Sequence, residues 1–61
     1  MNVDVLSCSN GLHHYEDTNE SKLLLDVKDG RLFIRRHYFD AETEYLTLYP
    51  PGTWQSITVE Q

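Results

Sequence analysis

Apolar and polar positions alternate most clearly between Lys22 and Phe39, in KLLLDVKDGRLFIRRHYF. The alternation is centred on Asp29-Gly30, a dipeptide suited to a type I′ turn because aspartate tolerates and glycine freely adopts positive φ. The turn predicts a register in which Lys28 opposes Arg31, Val27 opposes Leu32, Leu25 opposes Ile34 and Leu23 opposes Arg36. Side chains alternate across a strand, so Leu23, Leu25, Val27, Leu32 and Ile34 fall together on one core face. A slip of one residue would scatter them. The competing pattern is helical. Asp17 and Glu20 have capping-box spacing, Leu23, Leu24 and Val27 make a short stripe, and Gly30 could end the helix. That alternative is an α+β fold with a helix at about 18–29 packed on a three-stranded sheet.

Flanking segments extend the β pattern. Val3 and Val5 mark a short strand over 2–7, and Ser9-Asn10-Gly11 is a turn cluster. Residues 12–21, LHHYEDTNES, show no clear period and read as a long polar loop. Asp40 to Thr43 is a polar turn before EYLTLY at 44–49, where Leu46 and Leu48 join the core face if the connecting loop has three residues, 41–43, or five. The prolines of Pro50-Pro51-Gly52-Thr53 end that strand. A four-residue hairpin loop there would set Tyr49 against Trp54 and place Ile57 and Val59 in the core. The expected fold is mostly β: a single domain over 1–61, built as a small antiparallel meander of four to five strands. In size and strand count it is similar to an SH3-like curled sheet or partial barrel.

The register that fills the core also assigns the opposite face. That face would carry Arg31, Phe33, Arg35, His37, Phe39, Tyr45, Tyr49 and Trp54, with Ser56 and Thr58 beside them. Solvated strand faces usually hold Lys, Glu and Thr, so this set is unusually aromatic. It could be a second core layer, covered by residues 9–21 or by barrel closure. It could be a protein interface, since Tyr, Trp, Phe and Arg supply hot spots. It could also bind single-stranded nucleic acid, with bases on the rings and phosphates on the arginines.

Composition narrows these readings. A chain of 61 residues buries too little surface for high stability, and its single cysteine, Cys8, forms no internal disulfide, which favours a homodimer. The opening residues carry no basic leader and the apolar runs are short, so a secretory signal and a membrane span are not expected and the cytoplasm is. Net charge is −5. Six acids and two lysines lie in residues 1–30, three arginines in 31–39, and four acids with no base in 40–61. This acidity weighs against nucleic acid and fits a basic or nucleic-acid-binding protein partner. It also permits mimicry of nucleic acid, with Asp40, Glu42 and Glu44 blocking a basic groove.

Chemistry beyond binding finds little support. His13, His14, Glu16, Asp17 and Cys8 include metal-ligating types, but their spacing matches no closed tetrahedral site, so no metal or cofactor is expected. The three glycines are isolated and form no phosphate loop. No nucleophile, base and orienting acid are placed together by the pattern, so no catalytic residues are expected and the chain reads as no enzyme. The expectation is a small acidic protein-binding chain, an inhibitor or accessory factor by analogy of size and charge with phage and mobile-element proteins.

Overall fold

Six antiparallel strands follow one another with no helix: β1 (Asn2–Ser7), β2 (Gly11–Glu16), β3 (Ser21–Lys28), β4 (Arg31–Tyr38), β5 (Thr43–Tyr49) and β6 (Trp54–Glu60). The computed structural model describes all 61 residues. The strands form two sheets, ordered β2-β1-β6 and β3-β4-β5. The mostly-β expectation is met, but the arrangement is two three-stranded sheets, not one meander of four to five strands.

The β3–β4 hairpin has the register that Asp29-Gly30 implies, from Lys28 opposite Arg31 to Leu23 opposite Arg36. Asp29 and Gly30 both have positive φ, 53° and 77°, as a type I′ turn requires. The helix over 18–29 is therefore excluded. Asp17 does accept a backbone N–H, but from Leu23 at 2.8 Å, six residues on, where it anchors the start of a strand. The polar stretch 12–21 is also not a loop. Its first half is β2, whose Leu12, His13 and Tyr15 oppose Leu6, Val5 and Val3. Ser7 Oγ ties the β1–β2 turn, accepting from Asn10 N–H at 2.9 Å and donating to Gly11 O at 3.1 Å.

Val3 and Val5 from one sheet and Leu23, Leu32 and Ile34 from the other are buried together, so the two sheets face one another across one core. At roughly 25 cal/mol per Å² such apolar burial is the main favourable term, and here it is confined to a few side chains. β1, expected as a short flanking strand, is the middle of its sheet, which is why its valines are wholly covered. Leu25 is half-buried, but Val27 is 54% exposed although its parity is correct. β3 is an edge strand, and its cover fades toward the turn.

The largest departure follows β5. Pro51 at the second and Gly52 (φ 80°) at the third position make the type II arrangement, closed by Thr53 N–H donating to Pro50 O at 3.2 Å. Type II turns splay strands where I′ turns pair them. The chain accordingly leaves its sheet, and β6 pairs with β1, setting Ile57 opposite Val5 and Val59 opposite Val3. Tyr49 and Trp54 are not ladder partners.

Candidate binding face

Register decides which side chains leave the core. On β4, Leu32 and Ile34 point inward, so Arg31, Phe33, Arg35 and His37 point outward. Their partners on β3 are Lys28, Asp26, Leu24 and Lys22. On β5 the ladder slips between Ile34 and Arg35: Leu48 opposes Phe33, Thr47 opposes Ile34, and Tyr45 opposes Arg35. The extra residue is Leu46, a β-bulge that reverses parity along β5. Tyr45 and Leu48 therefore share the outer face, at 71% and 49% exposure. The expectation that Leu48 joins the core is overturned by this bulge, whereas Leu46 packs against the core.

Of the eight side chains singled out from sequence, the structure brings Arg31, Phe33, Arg35, His37 and Tyr45 onto this one face. Phe39 lies just past β4, 58% exposed, with its ring edge-on to His37 at 6.4 Å. Tyr49 and Trp54 lie elsewhere. Tyr49 opposes Leu32 on the inner side, and its hydroxyl meets that of Tyr15 at 2.8 Å. Burial first, then this hydrogen bond, pushes the Tyr49 phenol well above its ordinary pKa. Trp54 opposes Ser7 in the other sheet, packs on the core and donates from Nε1 to Gly30 O at 3.0 Å. It supports the hairpin turn from beneath. Ser56 and Thr58 oppose Leu6 and Asp4, on the far side of the molecule.

The face has a shallow open concavity of about 190 Å³ lined by Asp26, Lys28, Phe33, Arg35 and Tyr45. The Arg35 guanidinium carbon lies 6.0 Å from the Tyr45 ring centroid, a cation–π distance that holds the guanidinium as part of the wall. Nothing in the chain covers this surface. Residues 9–21, one proposed cover, are committed to β2, its flanking turns and the first residue of β3.

Comparison of the chain with protein-family models, with curated proteins and with solved structures gives no match.

The outer face of β2-β1-β6 differs in chemistry. There His14 Nδ1 lies 2.7 Å from Asp4 and its Nε2 lies 3.5 Å from Glu16, and these hydrogen bonds raise the imidazole pKa. His13, its neighbour, turns inward to Tyr49 at 6.2 Å, so the two histidines serve opposite faces. At the end where the sheets join, Asp17 holds both Leu23 N–H and the Met1 amine, and these two contacts, in that order, lower its carboxyl pKa. Arg36 Nη1 donates to buried Ser21 Oγ at 2.9 Å in the same region.

Leu48 is the face residue that alternation alone missed. The turn keeps the expected parity, with Arg36 opposite Glu44, and the bulge beyond it turns Leu48 outward with no residue signature to announce it.

Proposed function

We propose that the chain is a small non-enzymatic binding protein of the cytoplasm, an inhibitor or accessory factor that acts on another protein through the outer face of β3–β4–β5. The observation that carries this reading is the cluster of Phe33, Arg35 and Tyr45 around one concavity on the outer face, with exposed Leu48 opposite Phe33. Exposed apolar and aromatic surface joined to arginine is the composition of interface hot spots. The charged members of the face, Arg35 and Lys28, have no carboxylate partner within the chain, which leaves them available for recognition.

The test is capture of the partner from the native host by the wild-type chain, followed by affinity measurement with Phe33→Ala and Arg35→Glu. Both variants should keep the wild-type β spectrum and lose at least about tenfold in affinity, the loss of a single hot-spot contact. Full affinity in both defeats the assignment of the face. Trp54→Ala is unsuitable for this purpose, because Trp54 packs inside and holds the Gly30 carbonyl.

A further inference from the structure

The chain is acidic, yet its charges are sorted by face. Lys22, Lys28, Arg31 and Arg35, four of the five basic side chains, point outward from β3 and β4, with Asp26 as the sole acid on the same strand faces. That surface carries +3, and the remaining residues, nine acids with Arg36, carry −8. None of the four cations has a carboxylate within ion-pairing distance: the ion pairs of the molecule are Asp17 with the Met1 amine and His14 with Asp4 and Glu16. Cations left unpaired in so acidic a chain are available to an external anion.

We infer that this face takes an acidic segment of a partner protein, its carboxylates meeting Arg31, Arg35 and Lys28 while an apolar side chain enters the concavity beside Phe33. This rests on the binding role proposed for the face and names the partner's chemistry. It reverses the basic partner that net charge alone suggests.

Charge also sorts the other occupants. A two-fold dimer through this face would set two patches of like net charge against one another, because a two-fold contact joins the same patch on both subunits. A nucleic-acid strand would carry evenly spaced phosphates past both ends of β4. Acids stand at both ends, Asp29 in the β3–β4 turn and Asp40 and Glu42 in the β4–β5 turn, and Asp26 lines the concavity itself. A continuous polyanion meets that repulsion, whereas a short acidic peptide places its few charges on the cations between. Arginine's planar fork matches carboxylate geometry, and Phe33 with Leu48 gives the apolar contact that a phosphate chain does not use.

The experiment titrates the full chain into three labelled probes and reads fluorescence anisotropy. The probes are a glutamate-rich peptide with one central leucine, the same peptide with glutamine for glutamate, and oligo(dT) of equal charge. Amide shifts of the isotopically labelled chain locate the contact. The expected result is saturable binding of the acidic peptide alone, with shifts confined to β3, β4 and β5. Binding should weaken severalfold between low and physiological salt, and by about tenfold in Arg35→Glu. No binding of the acidic peptide at low salt, shifts on the opposite sheet, or tighter binding of oligo(dT) would overturn the inference. A captured host protein that needs Phe33 but binds Arg35→Glu at full strength would also overturn it, while leaving the face in place. One indifferent to both variants would remove the face itself.

Discussion

The two outward faces of this molecule are made from the same kind of three-stranded antiparallel sheet, yet they treat charge in opposite ways. On β2-β1-β6 the one basic side chain, His14, is held between Asp4 and Glu16, and the acids beside it find a partner within the chain. On β3-β4-β5 the arginines and lysines stand free around Phe33, Tyr45 and Leu48. Satisfied polar groups are what a solvated face needs. On the other face the cations have no carboxylate partner, and Arg35 rests only against the Tyr45 ring. Lys22 and Lys28 have a second explanation, since lysine on an edge strand blocks sheet-to-sheet pairing. Arg31 and Arg35 are on the central strand, where that explanation does not apply, and they therefore carry the contrast.

The strongest way to break the comparison is to separate the two sides of β4. Leu32→Ala removes a wholly buried side chain from the core that both sheets share, and should cost about 2–5 kcal/mol. Stability in so small a domain is thin, so that variant should be largely unfolded at room temperature. Phe33→Ala, one residue on, should change stability by about 1 kcal/mol or less and remove binding. Urea unfolding followed by Trp54 fluorescence measures both. Equal destabilisation by the two would mean that the outer face is as much a part of the fold as the inner one.

Parity explains which parts of this contrast were legible from the sequence. At Asp29-Gly30 turn chemistry and alternation agree, so the β3–β4 register, the Leu32 and Ile34 core and the outward Arg31, Phe33 and Arg35 all followed. At Tyr49 and Trp54 they did not follow, for two physical reasons. The Leu46 bulge reverses parity inside β5, and bulges have no strong residue signature. The Pro51-Gly52 turn is the kind that splays strands, so β6 crosses to the other sheet. β2 was missed because its inward residues are His13 and Tyr15, polar-tipped side chains that break an apolar alternation. Their hydroxyl and imidazole find partners across the core only once β5 lies opposite.

That cross-core link gives an intermediate test. Tyr15→Phe leaves the Tyr49 hydroxyl half-buried without its partner and should cost about 1–3 kcal/mol. The double variant, Tyr15→Phe with Tyr49→Phe, removes both polar atoms and should be closer to wild type than the sum of the single changes. Tyr49 also makes stability pH-dependent at the alkaline end. The folded-state pKa of Tyr49 is raised, so the contribution is fully present below the unfolded phenol value near ~10 and is lost as pH rises beyond it. Urea midpoints against pH should fall above about pH 10, and less steeply in Tyr49→Phe.

The smallest expected effect lies on the paired face and sharpens the contrast most directly. Hydrogen bonds to Asp4, then to Glu16, raise the His14 pKa, so its proton is held more tightly in the folded chain. Its contribution is therefore full below the unfolded histidine value near ~6.5 and disappears as pH rises through the folded one. Because the ring is exposed, the change in stability across that window should be slight. The titration itself is the better readout: the His14 imidazole midpoint seen by NMR should drop in Asp4→Asn. Binding at Phe33 and Arg35 should not follow that step, since the groups that titrate there face the opposite side of the molecule. If Asp4→Asn leaves the His14 midpoint unchanged, the Asp4 contact does not hold the proton and the paired face loses its pairing. If binding moves with His14 instead, the two faces are coupled through the core and cannot be treated as separate surfaces.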